Sequence, residues 1–363
     1  MTAKAALLSY SLGTGHKRAA ELLANELARL DVECGHSALE EWVTRDYDWL
    51  FRHGYLLLAL HLQWVWDWMY ASPFFSSGET LGYFFQRRRE ARRFESRGFA
   101  SSDVVVATQY NAMEIAADWK KFNKRPLRLA AVITDFDIYP LWARREVDLF
   151  LVAHEELKNM LAEKGISEER ITVTGLPIDP AFEEERSGEA ARSALGLPLK
   201  APVALIMGGG LGNGPMEESV HAALRADGWS VVAVCGKNEK LRQRMKPLAQ
   251  AEPGRLRVLG YRRDLPSLMA AAEVIVTKGG ALSLTEALAS GRAVVAMPGL
   301  PGQERANIAF MEKRGWVTVC RKPQDLSSIL NENLRPLQER PFPKGALGRA
   351  AAAIAGLAKA PPR

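Results

Sequence analysis

Apolar and polar positions along the chain fall into two runs of alternation that open in the same way. Ala5–Ser11 reads as a strand and runs straight into the turn Leu12-Gly13-Thr14-Gly15-His16. From Lys17, apolar Ala20, Leu23, Leu27 and Leu30 recur at helical spacing. Strand, glycine turn and helix together are the opening of a Rossmann-like half. Further strands are predicted at Asp103–Thr108, Leu127–Thr134 and Val147–Val152, with helices at Asn111–Lys120 and Glu155–Lys164 between them. Such alternation implies a mostly parallel sheet with helices on both faces.

Gly175-Leu-Pro-Ile-Asp-Pro180 interrupts the pattern, and a charged stretch with Gly188, Gly196, Pro198 and Pro202 follows. The alternation then restarts with strand Val203–Met207, the loop Gly208–Gly214 and a helix from Met216 to Arg225. Strands at Ser230–Cys235, Leu256–Leu259, Glu273–Thr277 and Ala293–Met297 continue it, with helices at Asn238–Ala249, Leu265–Ala271 and Leu282–Ala289. The expected fold is α/β, with two Rossmann-like domains at 1–177 and 202–340, a linker at 178–201 and a tail at 341–363. A helix over Leu347–Lys359, rich in Ala, is expected to return onto the first domain.

Composition narrows the function classes. At roughly 100–200 residues per domain, 363 residues favour two domains, and 47% hydrophobic with 25% charged residues is ordinary globular chemistry. Forty-eight Lys+Arg against 42 Asp+Glu give a formal net charge of +6, compatible with an anionic ligand or surface and selecting none. Cys34, Cys235 and Cys320 are too dispersed for a disulfide framework or a zinc ligand set, so a reducing cytoplasm is expected and no metal site is predicted. The start of the chain does not read as a secretory signal. Tyr55–Tyr70, interrupted by His61, Gln63 and Asp67, falls short of the about 20 apolar residues of a spanning helix.

The chemistry concentrates at glycine turns. After the strand ending at Thr277, Gly279-Gly280 precede a helix whose first N–H groups lack internal partners, a ready place for a phosphate, with Ser283 and Thr285 as added hydroxyls. Glu286 suits a ribose hydroxyl, or it complements the helix dipole in the first turn. Gly209 and Gly210 in the second domain, like Gly13 and Gly15 in the first, let backbone approach a ligand, or they are flexible turns only. Gln303, Glu304 and Asn307 suit sugar hydroxyls, or lie exposed in a first helical turn.

With Gly13-Thr-Gly-His16, Ile133-Thr-Asp-Phe136, Leu141-Trp142, Val152-Ala153, Thr172–Pro180 and the stretch from Thr277 to Asn307, the chain resembles GT-B glycosyltransferases of the diacylglycerol glycosyltransferase family. That family contains monogalactosyldiacylglycerol synthases and processive diacylglycerol glucosyltransferases, and the resemblance runs from about 5 to 325, weakest over 35–100. It implies two domains facing a cleft, a UDP-sugar donor in the second, a lipid acceptor in the first, and inverting hexosyl transfer, with 1,2-diacylglycerol the expected acceptor. No cofactor or essential metal is implied. On this footing Glu286 would hold the ribose, Gly280 and Ser283 would face the diphosphate, and Gln303, Glu304 and Asn307 the donor sugar. Gly260-Tyr261-Arg262 would border the uracil, and His16 would stand at the reacting centre.

An imidazole on a rigid turn suits the base that such transfer needs, whereas a lone His there also serves to cap or pack. Asp135 is the second candidate, to orient groups or act as base; its other reading is a strand-end turn residue. This chain departs from the family pattern with Tyr139 and Gln109-Tyr110 where relatives carry His, and with Lys278-Gly-Gly-Ala281 in place of Lys-Pro-Gly-Gly. Trp42, Trp49, Phe51, Tyr55, Trp64, Trp66, Trp68, Tyr70, Phe74 and Phe75, followed by Arg87, Arg88, Arg89, Arg92, Arg93 and Arg97, are either an anionic-membrane contact or an aromatic core beside a solvated basic helix. No recognition module accompanies the arginines, so nucleic acid is not expected. The expected location is the inner face of the cell membrane, peripherally bound, with the oligomeric state left open. Two rival readings are a UDP-N-acetylglucosamine-using enzyme (a lipid-linked transferase or a 2-epimerase) and a non-catalytic UDP-sugar sensor.

Overall fold

The computed structural model of the chain describes residues 2–11, 14–54, 81–124, 126–299, 302–332 and 334–361, and of residues 81–87 the backbone alone. The chain divides into two compact units, Met1–Ile178 with Gly345–Arg363, and Asp179–Lys344.

The first unit is built on six parallel strands: β1 (Ala3–Ser9), β2 (Val32–Ala38), β3 (Val104–Ala107), β4 (Leu129–Val132), β5 (Leu149–Val152) and β6 (Ile171–Val173), in the order β2-β1-β3-β4-β5-β6. Strands β3 and β4 are buried throughout, which is why they read as continuous apolar runs. Edge strand β2, half-exposed and carrying Gly35 and His36, has no such run and is absent from the sequence expectation. The helix Thr14–Arg29 buries Ala19, Ala20, Leu22, Leu23 and Leu27, one stripe at helical spacing.

The C-terminal helix Ala346–Lys359 belongs to this first unit. Leu347, Ala350, Ala351, Ile354, Ala355 and Ala358 share one core with Leu7, Leu23, Val106 and Val132. Small side chains let the helix lie close: a Cβ on Gly175 (φ +82°) would come within 2.9 Å of Ala346 Cβ. The Arg349 guanidinium donates to the Thr174 carbonyl at 2.9 Å, and Arg128 donates to the Ala358 carbonyl at 2.8 Å, covering an orphan of the last turn.

The second unit repeats the architecture with β7 (Val203–Met207), β8 (Ser230–Val234), β9 (Leu256–Leu259), β10 (Val274–Lys278), β11 (Ala293–Met297) and β12 (Thr318–Val319), all parallel, in the order β12-β11-β10-β7-β8-β9. The segment expected as a linker, 178–201, is instead folded onto this unit from Asp179 onward. Arg192 donates to the Ala271 carbonyl at 2.8 Å and pairs with Glu273, and Arg257 donates to the Leu195 carbonyl at 2.6 Å. A Cβ on Gly188 would sit 2.2 Å from the Ala270 oxygen, so the stretch lies directly against the second unit at this point. The single helix expected over 238–249 is two, Glu239–Arg244 and Lys246–Ala251, because Pro247 has no N–H to continue the first and opens a new first turn.

Candidate active site

In an open parallel sheet, ligands gather beyond the carboxyl ends of the strands where the strand order reverses. In the first unit that point lies between β1 and β3, and His16 stands there, half-buried in the first turn of the helix that follows β1. Its ring is held from one edge. Nδ1 lies 2.9 Å from the carbonyl oxygen of Thr108, directly after β3, and 2.8 Å from Oγ1 of Thr134, two residues beyond β4. The Thr108 hydroxyl in turn donates to the His16 carbonyl at 2.9 Å, so side chain and backbone of His16 are both tied to the end of β3. Both threonines are buried. The motif around them does not point to Thr108 or Thr134 as functional residues, because each reaches His16 from about a hundred residues away.

Asp135, directly after Thr134, is 9% exposed. Gly15 is half-buried beside His16, and Gly13 lies outside the described residues. Around this point the first unit is rich in buried polar side chains. The Tyr10 hydroxyl donates to Asp48 Oδ1 at 3.0 Å, and burial followed by the Asp48 charge pushes its pKa far up. Tyr139 meets the Tyr110 ring edge-on at 5.4 Å, and its hydroxyl is pushed up to about 12, by burial first and then by Glu114. Arg144 holds the turn after Trp142 by pairing with Asp118 at 2.8 Å, Glu146 at 3.1 Å and Glu114 at 3.5 Å.

The second unit reverses strand order between β7 and β10, and its two glycine turns leave those two strands. The first is shaped by lack of room: a Cβ on Gly212 (φ +63°) would fall 1.9 Å from the Cys235 carbonyl oxygen. Gly209 and Gly210 are half-buried at the same turn, and Gly209 (φ +67°) faces the Lys278 side chain, whose Cε would be 3.2 Å from an added Cβ. Lys278 pairs with Glu304. A Cβ on Gly279 would meet the Glu304 carbonyl oxygen at 2.3 Å, so the helix Gln303–Glu312 starts directly against the glycine turn.

Gly280 is the extended N-cap of the helix Ala281–Ala289, with Ser283 half-buried in its first turn. Thr285 donates to Ala281 within the helix at 2.8 Å, and Glu286 is 9% exposed. Asn307, expected to face a sugar, is buried and donates from Nδ2 to the Gly279 carbonyl at 3.0 Å, which fastens the turn; Gln303 is half-buried at the helix start. Tyr261, just past β9, is 56% exposed with the Lys237 ammonium 5.8 Å from its ring centre, and Arg262 bonds Asp264 at 2.5 and 2.8 Å.

The basic and aromatic segment resolves into two kinds of residue. Trp42 is core, edge-on to Phe99 at 5.3 Å and Phe94 at 6.5 Å. Arg89 bonds Asp46 at 2.5 Å, Arg93 donates to the Trp42 carbonyl at 2.6 Å and Arg97 to the Glu41 carbonyl at 3.1 Å, so these three arginines fasten the helix Leu81–Ser96 to residues 41–46. Trp49 and Leu50 are exposed, Trp49 stacking on His53 at 5.8 Å. Tyr55, Trp64, Trp66, Trp68, Tyr70, Phe74 and Phe75 lie outside the described residues, as does the side chain of Arg87. Among the described residues no helix is long and apolar enough to cross a membrane.

Two parallel six-stranded units in one chain, each with its candidate residues beyond the carboxyl ends of its own sheet, define a protein of the GT-B fold. MurG of Acinetobacter baumannii superposes with a TM-score of 0.59 at 14% identity, over 98% of this chain and 99% of that one. HepE of Anabaena, in complex with UDP and glucose, gives 0.54 at 17% identity over 98% and 95% of the two chains. MnaA of S. aureus with UDP gives 0.60 at 15% identity over 98% and 95%.

The sequence is more specific than the fold. Residues 99–178 match the family model of monogalactosyldiacylglycerol (MGDG) synthase, and residues 203–351 that of the glycosyltransferase family 28 C-terminal domain. The processive diacylglycerol beta-glucosyltransferase of Bacillus pumilus is 32% identical over 63% of this chain and 60% of its own length. That of Bacillus cereus strain AH187 is 31% identical over 65% of this chain and 62% of its own length. The chain thus matches a little under two thirds of the length of these relatives. Within that span it resembles the monogalactosyldiacylglycerol synthase and processive diacylglycerol glucosyltransferase family.

Proposed function

We propose that the chain is a UDP-sugar-dependent hexosyltransferase that glycosylates the hydroxyl of a membrane lipid of the diacylglycerol type, with inversion at the anomeric carbon. The observation that carries this reading is the anchored His16 ring at the strand-order reversal of a unit whose residues 99–178, Thr108 and Thr134 among them, match the MGDG synthase model. In this mechanism His16 takes the proton of the acceptor hydroxyl as its oxygen attacks the anomeric carbon. The bond to the β-phosphate oxygen breaks, and the departing UDP gains charge. The N–H groups at the start of the helix Ala281–Ala289 answer that charge, with Gly280 and Ser283 nearest the diphosphate, so the reaction needs no metal ion. Glu286 accepts from the ribose, Gln303 and Glu304 reach the sugar, and the open face of Tyr261 takes the uracil. Asn307 acts through Gly279 by fixing the turn.

The enzyme works from the inner membrane surface, with exposed Trp49 and Leu50 entering the interface beside the aromatic segment. Incubation with UDP-glucose, UDP-galactose or UDP-N-acetylglucosamine and a lipid extract, with products identified by mass spectrometry in the presence and absence of EDTA, tests the reaction. A glycosylated diacylglycerol is expected with and without chelator. Turnover of the nucleotide sugar without lipid defeats the reading in favour of an epimerase, and tight UDP binding with no turnover defeats it in favour of a sensor. Flotation with anionic vesicles tests the location, and a protein that stays at the bottom of the gradient removes it.

A further inference from the structure

We infer that Thr134 is the positioning residue that, with the Thr108 carbonyl, fixes which ring nitrogen of His16 does the chemistry. The inference deepens the general-base reading above and rests on it for its kinetic part. A carbonyl oxygen only accepts, so the 2.9 Å contact from His16 Nδ1 to Thr108 O favours the proton on Nδ1. Oγ1 of Thr134, 2.8 Å from the same nitrogen, is a second oxygen on the same edge of the ring and shares that proton. The opposite arrangement, with Thr134 donating to a bare Nδ1, sets that lone pair against the Thr108 oxygen and is disfavoured.

Two consequences follow from the pair of oxygens. The lone pair is on Nε2, the nitrogen a base needs, although imidazole in water prefers its proton there; the partner of the other nitrogen decides the tautomer. The ring is also kept from flipping, because a flipped ring would press a C–H against both oxygens. The orienting group that a carboxylate supplies in many histidine sites is here a neutral hydroxyl and a backbone carbonyl, both on buried residues. When Nε2 takes the acceptor proton, the partial negative charges of these two oxygens stabilise the imidazolium through Nδ1–H.

Three variants and a spectrum test this. Long-range nitrogen NMR of the ligand-free protein is expected to show His16 protonated on Nδ1 in the parent and in Thr134→Ser. In Thr134→Val the Nε2–H form is expected to grow, and kcat with UDP-glucose and diacylglycerol vesicles to fall about 10- to 100-fold, with KM for both substrates within about twofold. Thr134→Ser, which keeps the hydroxyl, is expected to restore kcat to within about threefold of the parent. A Thr134→Val protein with the parent's tautomer and turnover overturns the assignment, as does a Ser variant no better than Val. Unimpaired transfer by His16→Ala overturns the general-base reading instead, and the NMR spectrum then judges the placement of the proton on its own.

Discussion

The two units put a strand, a glycine turn and a helix at the same place in the same kind of sheet, and they use that place in opposite ways. In the first unit the turn delivers a side chain: His16 is gripped by oxygens from the ends of β3 and the stretch after β4, and the surroundings are tyrosines, acids and arginines bonded to one another. In the second unit the turns deliver backbone. Gly212 and Gly279 are glycine because there is no space for a Cβ, and Asn307 and Lys278 hold or border the loops. A sheet's carboxyl end is therefore a position, which the first unit fills with side chains and the second with bare backbone. The practical lesson is that damage should come from removing atoms in the first unit and from adding them in the second.

The largest effect expected from this contrast is on His16→Ala. Transfer should fall by about 10²- to 10⁴-fold while UDP affinity by calorimetry stays at the parent value. A loss of UDP affinity in that variant would break the division between the units. Next is Arg144→Ala, which leaves the nearly inaccessible carboxylates of Glu114 and Asp118 without their shared cation. A cost of about 3–5 kcal/mol is expected. Thermal unfolding should show it as an early transition of the first unit, with UDP binding by the second retained.

Gly279→Ala is the counterpart in the second unit. The new methyl would lie 2.3 Å from the Glu304 oxygen, so the turn must move. A loss of about 2–3 kcal/mol is expected, with weakened UDP binding and an unchanged first-unit transition. Gly348→Ala sharpens the comparison from the other side, since nothing lies within 4 Å of its added Cβ in the helix Ala346–Lys359. It should stabilise the protein by about 0.5–1 kcal/mol.

The smallest effect concerns acid. Bonds from Arg89 and Thr44 hold the Asp46 carboxyl down at about 2 from an ordinary 3.8. A depressed carboxylate stabilises the folded state above its unfolded pKa, and that contribution is lost as pH falls through the folded value. The tie between residues 44–46 and the helix Leu81–Ser96 should therefore loosen only between about pH 4 and about pH 2, seen as a shift in Trp42 fluorescence that Asp46→Asn abolishes.

Much of this was legible in the sequence because it was local. Strands β1, β3, β4 and β7 are apolar runs bounded by turns, and Gly-Thr-Gly-His16 and Lys278-Gly-Gly lie whole within a few residues. What stayed hidden depends on distance along the chain. Thr108 and Thr134 reach the His16 ring across 92 and 118 residues, and although Thr134 lies in the motif Ile133-Thr-Asp-Phe136, no local pattern ties either threonine to His16. Edge strand β2 is recruited by pairing with β1, Leu7 opposite His36, although its own residues alternate poorly. The arginines after position 87 looked like a surface patch, and Arg89, Arg93 and Arg97 turn out to bond oxygens of residues 41–46, which only the folded chain brings near. The stretch 178–201 looked like a linker because it is charged and broken by glycine and proline; its arginine contacts to Ala271 and Glu273 come from strands and turns some eighty residues on.

The helix Ala346–Lys359 imposes an order of events on the ribosome. It completes the core of the first unit, yet it is made only after every residue of the second. Leu7, Leu23, Val106 and Val132 are thus translated early and must wait, with an apolar face uncovered, while the second unit emerges and folds as a body of its own. A growing chain stalled near residue 344 would present that face to chaperones, whereas a chain whose helix Ala346–Lys359 has left the ribosome would hide it. Completion of the first unit's core therefore waits on a helix that is translated after the whole of the second unit.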